Sequence, residues 1–149
     1  MEKLQIFLMC TTHLPIYKKV NSQMTLKLQC ITIDAYDPLA LAKFWAEALG
    51  WQIGTDVNDV EVWIERELND PKNTGFPDIL FLKNSTPKNG KNRLHLDLRP
   101  DDQAAEVARL EMLGAKRIEI GQSEEPTCTW IVMADPEGNE FCVLKSLQR

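Results

Sequence analysis

The chain has no apolar run approaching the roughly 18–20 residues that a membrane span requires, so no membrane crossing is expected. It has no basic excess either. Its 17 Lys and Arg stand against 22 Asp and Glu, a net charge of −5, which argues against the basic footprint of a nucleic-acid partner. No CxxC pair is present. The four cysteines, Cys10, Cys30, Cys128 and Cys142, lie far apart and read as reduced thiols of a cytoplasmic protein rather than a disulfide frame. Neither GxGxxG nor GxxxxGK[ST] occurs, and no Ser or Cys sits in a nucleophile elbow. Nucleotide-dependent and hydrolase readings therefore lack support.

What is present is 149 residues, 44% hydrophobic and 26% charged. That balance is globular, and the length suits one domain or two small modules sharing a core. Residues 1–23 stand apart: they hold three lysines and one glutamate, whereas the remainder carries 14 basic against 21 acidic residues. Their one apolar stretch, Leu4 to Met9, is broken by Gln5 and is too short for a secretory h-region. They read as an N-terminal extension outside the core, either inert or packed as an arm on the core or a partner. Residues 24–149 then form one domain.

That domain repeats itself. Residues 27–35 alternate as a strand. Asp37-Pro38 opens a helix, with an acidic N-cap and proline at its first position. Leu41, Phe44, Trp45, Ala48 and Leu49 make its apolar stripe, and Gly50 ends it. Strands follow at 51–54, 60–65 and 79–83, with a polar loop at 69–77. The order then recurs: a strand at 93–99, a helix opened by Pro100-Asp101-Asp102 and ended by Gly114, and strands at 116–120, 128–134 and 141–144. AEALGW at 46–51 answers RLEMLGA at 109–115. VWIE at 62–65 answers TWIV at 129–132, pairing Trp63 with Trp130. ILFLKN at 79–84 answers FCVLKS at 141–146. The chain is thus β-α-β-β-β twice: module one at 24–84, a linker at 85–92, module two at 93–149. The fold class expected is α+β, with two curved mixed sheets, one helix on each, around a central cleft. In Arg93–Arg99, Leu94, Leu96 and Leu98 are expected to face the helix, and Arg93, His95, Asp97 and Arg99 the other side. Cys30, Thr32 and Asp34 share the corresponding face of the first strand.

This duplicated module, and the segments DPLALAKFWAEALGW and ADPEGNEFCVL, resemble the vicinal oxygen chelate superfamily of glyoxalases, extradiol dioxygenases and bleomycin resistance proteins. The likeness runs over about residues 26–146 and is nearest the glyoxalase-like branch. The resemblance implies a divalent metal held by first- and last-strand side chains of each module. The positions it assigns are Cys30, Leu80, His95 and Cys142. Leucine is no ligand, so the usual set is broken. Cys30, His95 and Cys142 remain as a Cys2His set that suits zinc with an open fourth position. Alternatively, the cysteines only pack.

The expected function is metal-free binding of a small molecule in the cleft, with no cofactor. The alternative is a lyase or isomerase that uses zinc, or His95 as acid and base. Asp34, Trp63, Arg93, Asp97 and Trp130 are the candidate ligand-binding residues. Trp63 and Trp130 either flank a ligand or fill the core, and Asp97 either meets the ligand or pairs with an arginine. Asp135, Gly138 and Asn139 read as hairpin-turn residues. Superfamily members often dimerise, so the resemblance also admits a homodimer, through sheet edges or the N-terminal arm.

Overall fold

The structure, a computed structural model, describes Leu26 and residues 28–67, 75–120 and 129–147. The expectations for residues 1–23, Cys10, Cys128 and most of the 69–77 loop lie outside these. The elements run β1 (Cys30–Ala35), α1 (Pro38–Leu49), β2 (Gln52–Ile53), β3 (Glu61–Glu65), β4 (Asp78–Lys83), β5 (Asp97–Leu98), α2 (Gln103–Leu113), β6 (Lys116–Arg117), β7 (Trp130–Ala134) and β8 (Glu140–Leu144). They form two four-stranded mixed sheets of identical topology, β1-β4-β3-β2 and β5-β8-β7-β6. In each, the first strand pairs in parallel with the last, and the other pairs are antiparallel.

Local chemistry explains the helices. The Asp37 carboxylate accepts from Ala40 N–H at 3.1 Å, and Asp102 accepts from Ala105 N–H at 3.0 Å. Each cap satisfies an otherwise orphaned donor, an effect of about 0.5–2 kcal/mol. Gly50 adopts the left-handed conformation, with φ at 66°, that ends α1 without the Cβ penalty of other residues. No basic residue stands in the last turn of α1. Arg109 of α2 supplies that charge instead, donating to the Glu47 and Ala48 carbonyls. Glu106 hydrogen-bonds the same guanidinium and raises its pKa, with desolvation opposing.

The core is single. Leu41, Phe44 and Trp45 of α1, Val62, Ile64, Ile79 and Phe81 of the first sheet, Val107 and Leu110 of α2, and Met133, Phe141 and Val143 of the second sheet form one buried cluster. Trp45 sits at the seam. It is 1% exposed, its ring lies 5.0 Å from that of Phe141, and its Nε1 donates to Asp135 Oδ2 at 3.1 Å. The Glu137 carboxylate adds a second tie, accepting from the N–H groups of Tyr36 and Asp37. Both sheets therefore turn their helix sides toward the shared core, and their opposite faces look away from it.

Three expectations change at this level. The strand expected at 93–99 shrinks to Asp97–Leu98. As an edge strand it pairs only with β8, and upstream the Asn92 N–H is drawn to the Glu140 carboxylate at 3.2 Å. Leu94 consequently leaves the helix side and is 61% exposed, while Leu96 and Leu98 pack on the core. On α2, apolar spacing predicts a stripe of Ala104, Val107, Ala108, Leu110 and Leu113, but Ala104 and Ala108 are exposed and the buried stripe is Val107 and Leu110. Finally, Trp63 and Trp130 are not equivalent. Trp63 pairs with Leu80, and Val132 pairs with Cys142, so the counterpart of Trp63 is Val132. Adjacent-residue likeness misaligned the repeat by two, which preserves the face but not the position.

Candidate functional site

The repeat superimposes through strand register. Thr32 opposite Leu80 in module one corresponds to Asp97 opposite Cys142 in module two. One residue pair earlier, Cys30 corresponds to His95. These positions lie on the sheet faces turned from the core.

On the second sheet, His95, Asp97 and Cys142 converge, with one ligand atom from each lying within 4.8 Å of the others. Cys142 Sγ is 3.6 Å from His95 Nδ1. Cys142 is buried, His95 half-buried and Asp97 exposed. Among the described residues, His95 Nε2 is the one buried side-chain polar atom with no hydrogen-bond partner. An orphan of this kind costs about 1–3 kcal/mol. The Asp97 carboxylate makes no hydrogen bond or ion pair among the described residues, and Arg99 instead donates to the Lys145 carbonyl. Cys30 stands outside the group, on the other sheet, with Sγ 3.8 Å from Thr32 Oγ1. Neither Cys30 nor Cys142 forms a disulfide.

Trp63 lies across Gly54, where a Cβ would fall 1.9 Å from the indole Nε1. Only glycine admits the ring there, so the indole is seated by backbone approach. Trp63 and Trp130 are both half-buried.

A separate cavity of about 730 Å³ occupies the junction of the modules. The exposed edge of β1 and Trp45 bound one side, and Leu94, Leu96 and Phe141 the other. The linker roofs it. Lys88 donates to Glu140 at 3.0 Å, clasping the linker to β8. Burial pushes the Glu140 carboxyl up, but the Lys88 hydrogen bond and the N–H groups of Asn92 and of Glu140 itself outweigh it and hold it low. A carboxyl depressed in the folded state adds stability above its unfolded pKa and loses that contribution as pH falls through the folded one. The Glu140 side of the clasp is thus charged at neutral pH, and the clasp loosens in acid.

Of the candidates from sequence, Asp34 and Arg93 line the cavity. Asp34 accepts from Asn84 Nδ2 at 2.7 Å. The Arg93 side chain is exposed and has no hydrogen bond or ion pair among the described residues. His95, Asp97, Trp63 and Trp130 are not in the lining. Sequence reasoning missed Trp45, Tyr36 and Glu137 as cavity residues. The helical stripe marked Trp45 only as core, and no local signal brings residues 36 and 137 together.

No helix of the described residues is long and apolar enough to cross a membrane. The family model of the glyoxalase-like domain matches residues 30–144. No curated relative matches the chain. Solved structures share the fold at low identity. One is a glyoxalase/bleomycin resistance protein/dioxygenase family enzyme from Burkholderia phytofirmans PsJN, 19% identical, covering 82% of this chain and 100% of its own, TM-score 0.61. Another is TnmS3, an antibiotic binding protein from Streptomyces sp. CB03234, 20% identical, covering 85% and 100%, TM-score 0.56. A third is a glyoxalase-related enzyme from Fulvimarina pelagi, 16% identical, covering 80% and 88%, TM-score 0.54.

Proposed function

The chain belongs to the glyoxalase-like domain family of the vicinal oxygen chelate superfamily, and from that premise we propose that it binds a small organic molecule in the cleft between its two modules. The observation that carries this reading is the cavity of about 730 Å³, a size within the roughly 300–1,000 Å³ typical of small-molecule sites. Its walls are apolar at Ile31, Ile33, Trp45, Leu96 and Phe141, with Asp34, Asn84 and Arg93 as polar groups. The Arg93 guanidinium, exposed and without a partner among the described residues, suits a carboxylate or other anion, which its planar fork holds bidentately. The ligand class is therefore an apolar or aromatic body bearing one acidic group. Binding of this kind uses no cofactor. TnmS3, which has the same fold, is named an antibiotic binding protein, and the analogy supports binding without turnover.

Thermal shift against a panel of aromatic and aliphatic carboxylates tests the reading, since a ligand that binds only the folded state raises Tm. Arg93→Gln should weaken the best ligand by about tenfold, equivalent to about 1.4 kcal/mol. Leu94→Trp should obstruct the mouth without disturbing the core, because Leu94 is exposed. A panel that leaves Tm unmoved, or a hit indifferent to both variants, would remove the proposal.

A second reading, a lyase or isomerase, draws on the convergence of His95, Asp97 and Cys142. The imidazole is the group able to take and return a proton near neutrality. Under this reading His95→Ala abolishes turnover while the carboxylate-induced thermal shift persists. If both are lost together, the cluster is structural. The proposal includes a homodimer, since β1 and β5 are edge strands with open backbone groups. Sedimentation that shows a monomer at all concentrations would exclude it. A reducing cytoplasmic compartment fits the thiols of Cys30 and Cys142.

A further inference from the structure

The geometry points to a zinc site built from module two alone, with His95, Asp97 and Cys142 as its three protein ligands. This donor set departs from the one that the family likeness implies, which spans both modules and would include Cys30.

The internal repeat supplies the first argument. Three corresponding positions face outward on each sheet. Module one places Cys30, Thr32 and Leu80 there, and module two places His95, Asp97 and Cys142. Threonine and leucine disqualify the first set. In the second, each position carries a side chain able to donate nitrogen, oxygen or sulfur to a metal, and the three lie within 4.8 Å. Asp97 and Cys142 are direct cross-strand partners, and His95 precedes Asp97 by two residues on the same face. The backbone therefore presents all three without a loop having to fold over them.

Distance supplies the second. Zinc bonds of about 2.0–2.1 Å to nitrogen and 2.3 Å to sulfur, at a tetrahedral angle, set the two ligand atoms about 3.5 Å apart. His95 Nδ1 and Cys142 Sγ are 3.6 Å apart. The third argument is incomplete satisfaction. The Asp97 carboxylate is uncommitted among the described residues, so a third donor stands open beside the imidazole and the thiol. The thiolate selects zinc over magnesium, calcium or manganese, which prefer all-oxygen shells. Exposed Asp97 gives the ion an entry path, and three protein ligands leave a fourth position for water or a ligand oxygen, which bound zinc would polarise.

Cobalt substitution of the full chain, purified without a histidine tag and stripped of metal, tests the site. Cobalt(II) should bind one per chain, with the visible bands of tetrahedral cobalt and a near-ultraviolet thiolate-to-cobalt band. Zinc should displace it and slow alkylation of Cys142, located by peptide mapping. Cys142→Ser should abolish the thiolate band. Asp97→Asn, at an exposed position and hence neutral for folding, should weaken zinc by more than the roughly 10–100-fold that an outer-shell change costs. Cys30→Ser should leave spectrum and affinity unchanged. The inference fails if no thiolate band appears, if the band survives in Cys142→Ser, or if Asp97→Asn binds zinc like the wild type. A band lost in Cys30→Ser would also overturn it, in favour of a set bridging the modules.

Discussion

Trp45→Ala should lower the unfolding free energy by about 3–5 kcal/mol, the usual cost of truncating a buried aromatic to alanine. Trp45 is 1% exposed, packs edge-on against Phe44 and Phe141, and spends its N–H on Asp135. The change therefore opens a cavity where the modules meet and strips a buried carboxylate of one donor. Domains of this size are stable by about 5–15 kcal/mol in total, so the variant should be close to unfolding at physiological temperature. Urea titration followed by circular dichroism measures it. A loss below about 1 kcal/mol would mean that the module interface does not depend on this ring.

Asp135→Ala should cost about 2–4 kcal/mol, because it leaves the buried Trp45 N–H and three part-buried donors without an acceptor. Asp135 is 2% exposed. Its Oδ1 accepts from the N–H groups of Glu137 and Asn139 at 3.0 and 2.9 Å, and its Oδ2 from Trp45 Nε1 and Asn139 Nδ2 at 3.1 and 2.9 Å. Asp135→Asn is the sharper experiment. An amide can replace one oxygen but turns a donor toward the donors that met the other. It should recover less than half of the alanine deficit, despite nearly equal volume. Trp45→Phe combined with Asp135→Asn should show a coupling of about 0.5–3 kcal/mol, since the two share one hydrogen bond. If Asp135→Asn is neutral, or if the two changes add without coupling, the carboxylate does not tie the modules together.

Asp135 also shows where sequence reading stopped. Followed by Pro136, Glu137, Gly138 and Asn139, it has the composition of a tight turn, and the turn is there. That this turn lies beneath the α1 tryptophan of the other module depends on contacts 90 residues apart. No local pattern encodes such a contact.

The sequence by itself determined the duplicated β-α-β-β-β order, both helices with their acidic caps and terminal glycines, and the faces of Leu96 and Leu98, though not that of Leu94. These follow from short-range physics: alternation with period two, the helical stripe, and capping within three residues. Alternation also put His95 on the face turned from the helix, and the family likeness singled out Cys142. The tertiary structure decided how the copies meet. Packing both helix sides into one core left Cys30 on a different sheet from His95 and Cys142, and the parallel register of β5 on β8 set Asp97 beside them. The same packing opened the cavity at the edge of β1. Which residues from distant strands share a site depends on how whole faces pack, and many sequences with this same local pattern could pack them differently.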